Sequence, residues 1–407
     1  MKLLHVTPHL GGGVGKAHAA LRSVLPGEVE QTFVLLEQPR ERRYLEQIEA
    51  SGGRVIVAGD LDQVAHLAGE ADIVQFEFWN HPRMFACLAC CPFPAMRSVF
   101  WSHISGISKP LIPSGLMEKA ARFVFTTTAS LESAAVTRFA EPAKIAAINS
   151  GFGFASPQPR AARRGERPAI AYLGTVNFVK MHPGFFDAID RLTDDVHASV
   201  WGASDPSGPV AARARAMRHP ERITFRGETS EPTTALARAD IFFYPLQPDH
   251  YGTAENALIE AMSLGLIPVV LNNPAEMAIV RHGETGFIAD SVENAASLLQ
   301  MLLVSPQVRE RVSGNASKFV MEARTPEQSA RDFMILWLGL LARPPRPCDF
   351  RAAIGTSPAE WFAATQCLPG AAWTPARPQD PELRTKGSLA HFESVFEGDE
   401  SFARLRR

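Results

Sequence analysis

Asp249–Gly265 reads DHYGTAENALIEAMSLG and follows the short apolar strand pattern IFFYP at 241–245. After a glycine turn the stretch becomes helical, and its apolar run ALIEAM is interrupted by one carboxylate, Glu260. A buried carboxylate without a partner is costly, so Glu260 either has one or faces a pocket. If the helix starts near Thr253, that hydroxyl caps it, and the amides of Ala254 to Asn256 point outward toward an anion. On helical spacing Asn256, Glu260 and Ser263 share one face, while Ala257, Leu258, Ala261 and Met262 cover the rest. A carboxylate in such a polar stripe can accept two hydrogen bonds from a vicinal diol such as ribose. Glu255 points elsewhere and reads as a first-turn acid complementing the helix dipole.

Outward from this stretch, short apolar runs alternate with helix-like segments in two successive sets. The first set is LLHVTP, QTFVLL, RVIVAG, DIVQFEF, RSVFWSH, RFVFTTT and KIAAINSG; the second is PAIAYLG, VHASVWG, RITFRG, DIFFYP, IPVVLNN and GFIAD. Such alternation is the signature of parallel sheets covered on both faces, so the expected class is α/β with two doubly wound domains. Ligands are then expected at the carboxyl ends of the strands and in the cleft between domains. The boundaries read as a domain at 1–155, a Pro- and Arg-rich linker at 156–167, a second domain at 168–325, and a helical then proline-rich extension at 326–407. Beyond Arg343 the sequence reads as an extended appendage with two short helices. No short-period repeat is present.

With 407 residues, 46% of them hydrophobic, the chain is long enough for two cores. A net charge of -2 with dispersed Lys and Arg argues against a nucleic-acid partner. The start lacks the apolar core of a signal peptide, and the longest greasy run, Phe333 to Ala342, is too short to cross a bilayer. A soluble, cytoplasmic protein is expected, with peripheral membrane contact still open. Cys87, Cys90, Cys91, Cys348 and Cys367 follow no disulfide framework, and the Cys87/Cys90 CxxC has no second pair to complete a zinc site.

Several positions carry candidate chemistry. The loop PHLGGGVGKAH follows a strand and opens a helix, where free amides and the dipole favour an anion. It is not an ATPase loop: Leu10 stands where GxxxxGK[ST] needs its first glycine, Ala17 replaces the magnesium-binding hydroxyl, and Gly11 replaces the lysine of the KGGxGK variant. Gly12, Gly13 and Gly15 are places where a ligand can approach the backbone, or where the chain simply turns tightly. Asp60 and Asp62 form a DxD that suits either a divalent cation or the capping of a helix. His103 ends a strand on the ligand edge, as a hydrogen-bonding partner or base, or as a loop cap. Lys180 precedes a helix beginning near Pro183, a placement that suits a diphosphate. Arg226 ends another strand and reads as a phosphate contact or a structural ion pair.

Together these residues resemble the family 4 glycosyltransferases, which have two facing Rossmann-like domains in the arrangement called GT-B. The resemblance covers about residues 1 to 340 and is stronger in the second domain. It rests on GGGVG, on LGT…K from Gly174 to Lys180, on ITFRG, ADIFFYP, ENALIEAMSLGLIPVV and RHGETGF. It implies a retaining transfer of sugar from a nucleoside-diphosphate sugar without a metal cofactor, as in glycan biosynthesis. By the same resemblance Glu260 binds the nucleotide ribose, Lys180 the diphosphate, Gly12 and Gly13 face donor and acceptor, and His103 lies beside the transferred sugar. Two departures stand out. The family arginine after Gly174 is replaced by Thr175, and the family glutamate eight residues before Glu260 is replaced by Gly252. Glu255 is the nearest substitute carboxylate.

The expected reading is therefore a retaining glycosyltransferase, with Glu260 on ribose, Lys180 and helix amides on the diphosphate, and His103 and Glu255 on the sugar. Gly15, Gly174, Arg226, Gly252, Thr253 and Asn256 complete the expected donor surface. The alternatives are an epimerase or phosphorylase on the same architecture, and a scaffold that has lost its chemistry.

Overall fold

The structure is a computed structural model describing residues 1–39, 41–151, 167–193, 195–253, 255–366 and 387–405. Its contacts divide the chain into two units, Met1–Gly153 with Tyr251–Thr253 and Pro326–Arg407, and Phe154–His250 with Ala254–Thr325. The 326–407 extension thus belongs to the first unit.

The first unit holds seven described strands: β1 (Lys2–Thr7), β2 (Glu30–Leu35), β3 (Arg54–Val57), β4 (Ile73–Phe78), β5 (Ser98–Ser102), β6 (Arg122–Phe125) and β7 (Ile145–Ala147). They pair in parallel in the order β3-β2-β1-β4-β5-β6-β7. Parallel strands buried on both faces read as nearly continuous apolar runs, which is why the sequence announced them. All six residues of β4 are buried. Asp60 caps the crossover helix Leu61–Glu70, its Oδ1 accepting from Gln63 N at 2.8 Å, which is the capping alternative for the DxD. Cys87 and Cys90 are free thiols on the helix Pro82–Cys90.

The two faces of this sheet differ. One is aromatic: Phe76 and Phe100 stack with centroids 4.9 Å apart, and Phe100 and Phe123 at 5.5 Å. Residues beyond Arg343 complete this core, with Phe350, Ile354, Trp361, Phe362, Phe392 and Phe402 all buried in it. The short helices expected beyond Arg343 are present, but the described residues there pack into the core rather than extending from it, while the proline-rich stretch at 367–386 lies outside the described residues. Widely spaced aromatics among prolines show no helical period, yet each buried ring is worth about 1.5–3 kcal/mol, enough to fold short helices against a neighbour. Three such helices are Arg351–Ile354, Pro358–Ala363 and Leu389–Val395. The other face is polar at its centre and is covered by the helices Gly12–Val24 and Pro326–Leu341. Trp337 Nε1 donates to Gln75 Oε1 at 3.1 Å, and Phe333 packs edge-on to Trp101.

The second unit holds β8 (Ile170–Leu173), β9 (Ala198–Trp201), β10 (Ile223–Gly227), β11 (Ile241–Tyr244), β12 (Ile267–Leu271) and β13 (Phe287–Ala289). These are also parallel, in the order β10-β9-β8-β11-β12-β13. Every strand expected from the sequence is present in its unit; β1 and β2 begin one residue before the expected run, and most of the others are shorter than expected. Among the described residues no helix is long and apolar enough to cross a membrane.

Phe392 tests whether the C-terminal segment is structural. Phe392→Ala is expected to cost about 3–5 kcal/mol, the usual loss for a buried phenylalanine. Denaturant unfolding of the first unit measures it, and an unchanged midpoint would return the segment to the status of an appendage.

Candidate functional site

In each sheet the strand order reverses once, between β1 and β4 and between β8 and β11. Crossover helices leave these neighbouring strands toward opposite faces, which opens a crevice beyond their carboxyl ends. Most of the candidate residues lie at these two edges, with His103 after β5 and Arg226 at the end of β10.

In the first unit β1 runs into His9 and the glycine loop, and the helix Gly12–Val24 begins without a capping side chain. Gly12 has φ +62°, and a Cβ there would meet nothing within 4 Å, so its backbone is open to approach. Gly15 differs. A Cβ on Gly15 would lie 1.8 Å from Leu10 O, so the turn itself requires glycine there. Gly13 is partly buried in the first helical turn.

Beneath this edge lies a cluster built around Glu77 of β4, which is fully buried. Alternation along β4 puts Gln75 and Glu77 on one face, and the register sets His5 of β1 beside Gln75. Glu77 Oε1 receives His5 Nδ1 at 3.0 Å and Gln75 Nε2 at 3.0 Å. Glu77 Oε2 receives His103 Nε2 at 2.8 Å. His18 Nε2 also lies 3.0 Å from Oε2, but off the hydrogen-bond line, and both His18 nitrogens lack a hydrogen-bond partner. Burial pushes the Glu77 carboxyl up, but His18 and the three imidazole contacts outweigh it and hold it well below the usual carboxylate range. Burial lowers His5 to about 4, against the opposing pull of Glu77. Burial likewise lowers His103 despite its bond to Glu77. At neutral pH the carboxylate is ionised, and His5 and His103 are neutral.

The hydrogen bonds assign the tautomers. Gln31 Nε2 donates to His5 Nε2 at 2.9 Å, so the His5 proton sits on Nδ1 and points at Glu77. His103 carries its proton on Nε2, because the Glu77 carboxylate facing that nitrogen can only accept.

Among the described residues two groups in this unit approach ligand spacing for a cation: His5, His18 and Glu77, and His9, Glu37 and His81. Their donor chemistry fits poorly. In the first group a metal would have to displace the proton that His5 gives to Glu77. In the second, His9 Nδ1 accepts from Gly11 N at 3.1 Å and His81 Nδ1 from Arg83 N at 3.3 Å. Both rings therefore carry their proton on Nε2, the nitrogen that would have to ligate. His81 Nε2 instead faces Glu37 at 3.7 Å, beside Arg83 Nε at 3.6 Å.

In the second unit the loops after β8 and β11 interlock. Tyr172 Oη donates to Thr175 O at 2.8 Å, Gln247 N to Lys180 O at 2.8 Å, and Gln247 Nε2 to Phe178 O at 2.9 Å. These bonds place half-buried Lys180 just ahead of the helix Gly184–Asp190, whose N-cap is Pro183. Gly174, with φ +155°, directly follows β8. After β11 the helix Glu255–Ser263 begins two residues later than the Thr253 start expected. Thr253 and Glu260 are buried, Asn256 is exposed, and Ser263 Oγ donates to Glu260 O at 2.8 Å. The Glu255 side chain and Ala254 lie outside the described residues. Gly252 clusters with the first unit, within Tyr251–Thr253. Arg226 is exposed at the end of β10 and makes no ion pair among the described residues.

Sequence reasoning missed two buried carboxylates. Glu77 is one. Glu276 is the other: His250 Nε2 lies 3.2 Å from its Oε2, and Asn273 Nδ2 donates to its Oε1 at 3.2 Å. Both interrupt apolar runs, DIVQFEF and NPAEMAIV, as Glu260 interrupts ALIEAM.

Residues 157–319 match the family model described as Glycosyl transferases group 1. No curated protein matches the chain by sequence. Among solved structures the chain is similar to a glycosyltransferase from Rickettsia africae ESF-5, with 13% identity, 84% of this chain and 99% of that chain covered, and TM-score 0.67. It is similar to HepE from Anabaena in complex with UDP, with 16% identity, 83% and 100% coverage, and TM-score 0.68. It is also similar to sucrose-phosphate synthase from Thermosynechococcus elongatus, with 15% identity, 84% and 100% coverage, and TM-score 0.61. At these identities the likeness establishes the fold: the chain has two doubly wound domains of the GT-B kind and a helical C-terminal extension, and its second domain carries the group 1 match.

The buried histidines predict how stability varies with acid. His5 titrates at about 4 in the fold and near 6.5 when unfolded, so between these values the unfolded chain binds the extra proton. Stability is therefore highest above pH 6.5 and falls as the pH drops toward 4, by about 1.4 kcal/mol per pH unit for a single histidine. His103 acts in the same direction over this range, and Glu77, held below the usual carboxylate range, adds its loss only below about pH 4.5. Denaturant unfolding of wild type and His5→Gln between pH 7 and 4.5 measures this, and the variant is expected to show the shallower slope.

Proposed function

We propose that the protein is a retaining glycosyltransferase that moves a sugar from a nucleoside-diphosphate sugar to a hydroxyl of a glycan, lipid or small molecule, with no metal cofactor. Glu260 carries the reading: it is a buried carboxylate on the helix leaving the switch point of the second sheet, inside the span matching Glycosyl transferases group 1. There it accepts the two hydroxyls of the ribose. Lys180 and the first amides of the same helix meet the charge growing on the departing diphosphate, where electrostatic help lowers the barrier most. The bond from the anomeric carbon to the diphosphate oxygen breaks, the acceptor oxygen bonds to the same face of that carbon, and the acceptor proton leaves with the diphosphate. His103 meets the transferred sugar, and the open backbone at Gly12 allows a ligand to approach. Anabaena HepE, similar in fold, is described in complex with UDP and with UDP-glucose, which makes uridine nucleotides the first donors to try.

Glu260→Ala and Lys180→Ala are each expected to lower kcat/KM for transfer by about 100-fold or more, the scale of losing one electrostatic contact to a transition state. Unchanged turnover in both variants rejects the assignment. Gly252, in place of the family glutamate, favours a second reading as a scaffold without transfer. A melting screen over UDP, GDP and ADP separates the two: the enzyme gains about 2.7 kcal/mol at a ligand concentration 100 times Kd, and the scaffold gains nothing from any of the three.

A further inference from the structure

We infer that Glu77 is the positioning residue for His103: it fixes the ring as the Nε2–H tautomer, so that Nδ1 meets the ligand as a hydrogen-bond acceptor, suited to a sugar hydroxyl and hostile to a carboxylate. The inference rests on the reading of His103 as a residue that meets the transferred sugar.

Three observations carry it. First, His103 follows β5 directly, on the strand-end edge, and its side chain is 9% exposed whereas that of Glu77 is fully buried. The ring therefore connects the interior to the surface. Second, its Nε2 is committed inward, 2.8 Å from Glu77 Oε2, while its Nδ1 makes no hydrogen bond among the described residues. Unlike the nitrogens of His18, that Nδ1 is not one of the sealed, unpartnered atoms of the core. Third, Glu77 is itself over-determined. His5 from β1 and Gln75 from β4 hold its other oxygen, with Gln31 and Trp337 fixing those two in turn. Trp101 and Trp79 flank the His103 ring, with centroids at 4.7 and 6.1 Å. The ring can neither rotate freely nor exchange its proton between nitrogens without leaving a buried anion short of a donor.

The chemistry at Nδ1 follows. A bare lone pair backed by a buried carboxylate accepts a hydrogen bond from a hydroxyl and repels an anion. The arrangement fits a neutral hexosyl donor and excludes a hexuronosyl one. A histidine relayed to Glu77 also holds the sugar without itself being charged.

The test uses the full chain labelled with 15N-histidine. Long-range proton–nitrogen spectra of the wild type are expected to show His103 protonated at Nε2 and bare at Nδ1. A proton on Nδ1 overturns the inference with no variant needed. In Glu77→Gln the tautomer is expected to mix, and an unchanged tautomer also overturns it. Transfer kinetics give the second readout: Glu77→Gln lowers kcat by about 100-fold with a smaller change in KM, the scale of a misplaced positioning contact. Glu77→Asp, which keeps the charge, recovers part of the loss. In a His103→Ala background Glu77→Gln adds nothing; equal losses in both backgrounds mean that Glu77 serves stability alone, and the inference falls. Preference for UDP-glucuronate over UDP-glucose in the wild type also overturns it. A wild type that transfers from no donor yet shows the stated tautomer defeats the glycosyltransferase reading, and the role of Glu77 toward the His103 ring stands confirmed.

Discussion

The parallel pairing of β1 with β4 and of β8 with β11 sets almost everything else in place. At each pairing the chain reverses its winding, so the neighbouring crossovers depart to opposite sides and leave two strand ends uncovered. The glycine loop, His9 and His81 stand at one such edge, and Gly174, Lys180 and the helix bearing Glu260 at the other. Those loops have little secondary structure of their own to satisfy their polar groups. They are held instead by bonds between loops, such as Gln247 to Phe178 and Lys180, and by polar residues placed just below the edge.

Glu77 is the costliest of those polar residues. A carboxylate taken out of water must recover its hydration in hydrogen bonds, and Glu77 does so through donors from β1, β4 and the residue after β5. The arrangement also specifies register. A one-residue slip of β4 would turn Glu77 into the aromatic layer of Phe76, Phe100 and Phe350, where no donor waits, and Phe76 into the polar layer. The network therefore disfavours misregistered sheets more strongly than an all-apolar strand would.

Much of this was legible in the residues. Strands buried on two faces announce themselves as apolar runs, which made the two sheets readable, and one carboxylate in a greasy helix drew attention to Glu260. The same argument applied to Glu77 in DIVQFEF passes unnoticed, because its partners His5, His18 and His103 are far away in sequence and only the sheet register unites them. The C-terminal packing was hidden for a different reason: Phe350, Trp361 and Phe392 follow no period, so their burial depends on the shape of the surface that receives them. Gly15 shows the converse. Its place in a glycine-rich loop suggested ligand approach, whereas Leu10 O already accounts for its missing side chain.

The first unit is built from both ends of the chain, and this dictates an order of assembly. Phe392 and Phe402 complete the core that Leu4 and Val6 begin, while the described strands of the second unit lie between Ile170 and Ala289. During synthesis at about 5–20 residues per second, the aromatic layer of β4 waits on the order of tens of seconds for its last partners. The domain translated second is complete by Thr325, whereas the domain translated first closes only when the helices after Arg343 leave the ribosome. Through that interval Phe76, Phe78 and their neighbours form an incompletely covered apolar surface. The nascent chain is therefore most exposed to aggregation, and to chaperones, after its second domain is already folded.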